Sequence, residues 1–136
     1  LREQGSSRLR VPPGSSEAII INTAGGLAGG DQVGIELVAR AGASLTATTQ
    51  AAERVYRSLG PAATVTQSFT VEKGARLLWL PHETIMYDGA SLHRSINVEV
   101  GSGGWFLGLE STVYGRTAMG EAIASLHHSE DWRVTR

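Results

Sequence analysis

The sequence predicts an all-β chain, built as a solenoid-like stack of strand–turn–strand units with few or no helices. Three observations carry that reading. Residues 33–40, 63–72 and 92–100 alternate apolar and polar side chains, the period of a strand with one buried face. Each is followed by a glycine turn, at Gly42, Gly74 and Gly103 or Gly104, and then by a more apolar run. The turns recur at near-constant spacing, from 42 to 74 and then to 103 or 104. A period of this size marks repeated units that cannot bury their apolar faces alone and must stack. On the residues alone, a β-sandwich with turns about every 8–12 residues is the alternative. Glycine supplies 17 of the 136 residues, well above the usual share of about 7%, which fits many tight turns between short strands.

The elements follow in order. Residues 1–16 mix charge with Ser, Pro and Gly, and 12–16 (PPGSS) read as loop. Residues 17–21 are a short apolar strand candidate. Residues 22–31 (NTAGGLAGGD) hold four glycines within six positions and end on Asp31. Such a run implies unusual backbone angles or close backbone approach. Residues 44–49 are Thr-rich and strand-like, whereas 51–56 read equally well as a helical turn or a strand. Residues 76–80 and 105–109 read as buried strands. Residues 121–128 and 131–136 read as two further strands about a turn at Ser129-Glu130.

The bulk numbers bound the function. A chain of 136 residues is one domain (1–136). A net charge of -1 gives no electrostatic case for nucleic acid or an anionic membrane. The absence of cysteine removes disulfides, thiolate metal sites and cysteine nucleophiles together. There is no G-x-S-x-G elbow and no H-E-x-x-H pair. The glycine block lacks the G-K-S/T ending of a phosphate loop and closes on a negative charge. The expectation is a protein that is not an enzyme.

Six acids, Asp31, Glu53, Glu83, Asp88, Glu110 and Glu121, fall in or beside turn segments. Carboxylate and imidazole ligands suit divalent ions including nickel, although the ordinary role of such acids is to be solvated or to cap turns. Glu110 stands apart because it directly follows the apolar run 105–109, with Arg116 as its expected ion-pair partner. His82, His93, His127 and His128 are read as surface or hydrogen-bonding groups, and adjacent His127 and His128 would face opposite sides of a strand. Tyr56, Arg57, Tyr114 and Arg116 are the residue types that anchor protein interfaces.

Four blocks, residues 22–31, 48–58 (TTQAAERVYRS), 80–90 (LPHETIMYDGA) and Glu110 with 114–121 (YGRTAMGE), resemble the urease accessory protein UreD (UreH) family. The resemblance implies an irregular β-superhelix. It implies a cytoplasmic scaffold that works with the accessory proteins UreF and UreG and with apo-urease, and it allows a dimer within that complex. It places Asp31, Glu53, Glu110 and Glu121 along an internal, water-filled passage for Ni²⁺ in transit, with no tightly bound cofactor. Members are about twice this length, so the chain is expected to be a fragment lacking an N-terminal segment and the C-terminal half, with an unsealed end to its stack. Two other classes compete: a β-solenoid binding or structural module without a metal role, and a glycosidase with two acids about 5–10 Å apart in an open groove.

Overall fold

A computed structural model describes residues 2–136. The strands are β1 (Ser7–Arg10), β2 (Glu17–Asn22), β3 (Gln32–Ala39), β4 (Ser44–Thr49), β5 (Glu53–Val55), β6 (Ala63–Val71), β7 (Arg76–Trp79), β8 (Thr84–Met86), β9 (Ser91–Val100), β10 (Trp105–Gly108), β11 (Thr112–Tyr114) and β12 (His127–Thr135). They form three sheets, β1-β2-β4-β7-β10, β5-β8-β11 and β3-β6-β9-β12. Every pairing is parallel except β1 with β2. The chain visits the three sheets in turn, so it winds as a three-sided β-solenoid of about three turns. An earlier turn, β2 to β3, has its middle side reduced to a bridge between Leu27 and Val55.

The predicted glycine period is one corner of this coil. Gly42, Gly74 and Gly103 sit between a strand of the third sheet and the next strand of the first, all with φ near +70° (71°, 66° and 67°). Only glycine takes these angles without a Cβ penalty. The corners also bond to each other: the Gly42 N–H donates to the Lys73 carbonyl at 3.0 Å, and the Gly74 N–H to the Ser102 carbonyl at 3.0 Å.

Each strand–turn–strand unit carries a third, shorter side, because β8 and β11 are three-residue strands, too short to carry a period. Ahead of the loop at 12–16, β1 pairs antiparallel along the edge of β2. Two expectations are corrected. Residues 121–126 are not strand, and no turn forms at Ser129-Glu130. Instead β12 runs straight through, held in nine-residue register by β9 from His127↔Ser91 to Thr135↔Glu99. Finally, the run 105–109 is only half-buried. Trp105 and Leu107 face outward in register with Arg76 and Leu78, while Phe106 and Gly108 face in with Leu77 and Trp79. The ambiguous segment 51–56 contains strand β5, and the helical content among the described residues is one 3-10 turn, Thr117–Met119.

Two apolar clusters fill the interior. One gathers Leu37, Phe69, Leu77, Trp79, Ile96 and Val98. The other holds Leu27, Val55, Val65, Met86 and Leu92. Phe69 packs between Trp79 and Phe106, with ring centres 5.2 and 5.9 Å away. Fully buried Leu77 should lose about 2–5 kcal/mol on Leu77→Ala, whereas Leu59, 95% exposed, should change by less than about 0.5 kcal/mol on Leu59→Ala. Urea unfolding of the intact protein checks the contrast; equal losses would mean Leu77 is not a core residue.

Candidate functional site

The inward-facing positions of the two central strands of the third sheet, β6 and β9, are apolar with two exceptions. Along β6 they read Ala63, Val65, Gln67, Phe69, Val71, and along β9 Leu92, Arg94, Ile96, Val98, Val100. Gln67 and Arg94 therefore put polar groups into the core between the two clusters. Burying them costs free energy unless partners meet every charge. The partners come from the corner between the first and second sheets.

Glu110 lies there, just ahead of β11, with its side chain 4% exposed against 3% for Arg94. Arg94 Nη1 donates to Glu110 Oε2 at 2.7 Å, while Trp79 Nε1 and Gln67 Nε2 donate to Glu110 Oε1 at 2.7 and 3.0 Å. Arg94 also donates to Glu130 Oε2 at 3.0 Å and to Thr84 Oγ1 at 2.5 Å. The expected partner, Arg116, is elsewhere: it follows β11 and pairs with Glu121 at 2.9 Å. Glu110 reaches Arg94 because its corner points inward, whereas the loop carrying Arg116 lies outside.

Glu53 opens β5 at the same corner two turns earlier, in register with Thr84 of the turn between. Asn22, at the end of β2, donates to both of its oxygens at 3.2 and 3.1 Å. Burial raises the Glu53 pKa above the ordinary carboxylate value, opposed in part by the Asn22 amide. Asn22, Glu53, Thr84 and Glu110 thus form a polar seam that climbs the inner corner of successive turns. At its far end, His128 Nδ1 and the Tyr114 hydroxyl share a hydrogen bond of 2.9 Å. Burial, then the positive Arg94, holds the His128 pKa below the ordinary histidine value.

The other two acids named from the sequence are not in this seam. Asp31 is exposed, and its Oδ2 accepts the Ala28 N–H at 2.8 Å, which caps the glycine turn. That turn is tight because a Cβ at Gly26 would overlap the Tyr56 ring and one at Gly29 would overlap Ser58. Glu121 lies on the outer surface. There Tyr56, Arg57, Tyr87, Asp88, Arg116 and Glu121 line an open pocket of about 530 Å³. Arg116 stacks 3.9 Å above the Tyr87 ring, Tyr56 meets Tyr87 edge-on at 5.2 Å, and Arg57 pairs with Asp88. The Arg116 hydrogen bond lowers the Glu121 pKa, and the Ser125 and Ala124 N–H groups lower that of Asp88. Three of the four proposed interface residues, Tyr56, Arg57 and Arg116, share this pocket; Tyr114 is exposed and held by His128. As expected, His127 and His128 diverge: His127 meets His93 on the outer face, ring centres 5.1 Å apart. No group of three or more His, Asp or Glu among the described residues is arranged to hold a metal ion.

The sequence reading missed Arg94, Gln67, Trp79 and Glu130 as members of this network. The available signal was a polar residue at the apolar phase of an alternating strand, at Gln67 in β6 and Arg94 in β9.

A profile of the UreD urease accessory protein family matches residues 1–136. The chain belongs to that family. Among similar curated proteins, the urease accessory protein UreD of Rhodopseudomonas palustris (strain HaA2) is 43% identical over 98% of this chain and 49% of its own length. That of Chelativorans sp. (strain BNC1) is 42% identical over 100% of this chain and 50% of its own length. That of Brucella suis (strain ATCC 23445 / NCTC 10510) is 43% identical over 98% and 49%. The chain spans about half the length of the curated relatives it matches. No helix among the described residues of this UreD-family chain is long and apolar enough to cross a membrane.

Removing the guanidinium with Arg94→Ala strands two carboxylates and should cost about 3–5 kcal/mol; a loss below about 1 kcal/mol in urea unfolding would contradict the network. Glu53 behaves the opposite way. A carboxyl whose pKa is raised in the native state opposes folding at neutral pH, and that opposition fades as pH falls through its folded pKa to its unfolded one. Glu53→Gln should therefore stabilise the protein at about pH 7 and make no difference in acid. Destabilisation at neutral pH would show that the Asn22 contacts outweigh burial.

Proposed function

We propose that this chain is part of a urease accessory protein that conducts Ni²⁺ toward apo-urease, and that the internal polar seam is its route. The observation that carries the reading is the ladder of Asn22, Glu53, Thr84 and Glu110 on successive turns. A transit path needs oxygen ligands that hold an ion weakly enough to release it. Glu53 fits: it is half-buried and, among the described residues, bound by the Asn22 amide and the Arg54 N–H without a direct cation partner. Within the four acids first assigned to the path, we place Glu53 and Glu110 on it. Asp31 caps a turn, and Glu121 belongs to the outer pocket.

That pocket is the proposed docking surface. Tyr56, Arg57 and Arg116, with Tyr114 nearby, present aromatic and guanidinium groups that dominate protein interfaces. The accessory proteins UreF and UreG and apo-urease are the proposed partners, in the cytoplasm, with UreG supplying GTP hydrolysis and this protein supplying none. A dimer within the complex is compatible with this arrangement. The glycosidase alternative is disfavoured because Glu110 is enclosed and held by three donors rather than open to a groove.

Urease activation in cells carrying the other accessory genes tests the reading on the full-length protein. Glu53→Gln should cut activation by about tenfold or more while partner pull-down is unchanged; Asp31→Asn should leave both near the parent level. Full activation by Glu53→Gln would favour a scaffold without a metal role. Arg57→Ala with Arg116→Ala should instead lose the complexes, and retained complexes would remove the pocket from the interface.

A further inference from the structure

The outer faces of the coil are not alike. On the third sheet the outward positions of the central strands are polar: Thr64, Thr66 and Ser68 along β6, and His93, Asn97 and Glu99 along β9. Such a face is at home in water. On the first sheet they are apolar. Ala18, Ala47 and Leu77 belong to the core, so by alternation Ile19 and Ile21 of β2 and Leu78 of β7 face out. Trp105 and Leu107 of β10 join them, 45% and 44% exposed. Between these rows β4 carries Thr46, in register with Leu78, and Thr48, in register with Ile19. The smaller threonines leave a shallow trough along β4, with larger side chains on either side.

Arginines frame the patch. Arg8 and Arg10 of β1 lie opposite Ile21 and Ile19, and Arg76 of β7 lies opposite Trp105. All three are exposed, and among the described residues none is in an ion pair. Glu17 carries the one negative charge among the outward positions of this sheet.

We propose that this face docks an amphipathic α-helix of a partner protein, its aliphatic stripe lying in the β4 trough and its flanking Asp and Glu residues meeting Arg10 and Arg76. The faces of parallel strands are ordinarily covered, and helices are what cover them. From β2 to β10 the patch is about 14 Å wide at the usual strand spacing, and one helix is about 10–12 Å across. The charge selects the partner. A second copy would bring the same arginines to the same rim, and like charges brought together oppose association. An acidic helix meets both the apolar rows and the unpaired guanidiniums.

Photocross-linking of the full-length protein in cells carrying the urease genes tests this. Benzoylphenylalanine replaces Leu107 or Trp105, both already exposed, and Thr64 on the polar face as the control. The face should cross-link to a helical peptide of another polypeptide, with apolar residues at i and i+3 or i+4 beside Asp and Glu; position 64 should not. Arg10→Glu with Arg76→Glu should cut the yield about tenfold with the melting temperature unchanged, and Lys in place of the peptide's acids should restore it. Cross-links to a second copy, to the protein's own chain or to lipid would overturn the proposal. So would an unchanged yield in the double variant, or silence at both 105 and 107.

Discussion

A guanidinium and a carboxylate, each almost fully buried, sit at the centre of this stack, and the surrounding structure is arranged to keep them there. In a low-dielectric interior such a pair persists only with good geometry and further hydrogen bonds. Here Trp79, Gln67, Thr84 and Glu130 supply them. These residues come from β6, β7, β8 and β12, so the network ties all three sheets together. It also separates the interior into two apolar clusters with a polar layer between them.

The solenoid makes that layer continuous. Parallel stacking puts equivalent positions of successive turns above one another, so one polar residue per turn at the same corner becomes a line. Asn22, Glu53 and Thr84 are such a line, and Glu110 extends it. The same stacking builds the outer pocket, where Tyr56, Tyr87 and Arg116 come from three successive turns. One repeat thus yields an inner polar seam and an outer aromatic surface on the same side of the coil.

The period of the coil was legible because glycine marks it. Gly42, Gly74 and Gly103 need left-handed angles wherever the chain turns that corner, and no other residue substitutes cheaply. The third side of the coil was not legible, since three residues cannot show alternation. The Ser129-Glu130 break failed for a related reason: local polarity suggested a turn, but β9 offered a nine-residue edge and the ladder prevailed. Glu110 was singled out correctly from the apolar run before it, yet its partner was sought nearby in sequence. Arg94 is 16 residues away, on a strand whose phase, rather than its neighbourhood, aims it inward.

Membership of the UreD family rests on the whole chain, whereas the route for the ion rests on the seam. The direct measurement is the anomalous scattering of nickel in crystals of the full-length protein with its accessory partners. The account predicts an anomalous peak inside the solenoid, beside Glu53 or Glu110. Peaks confined to exposed histidines such as His93 and His127, with the seam empty at saturating nickel, would contradict it.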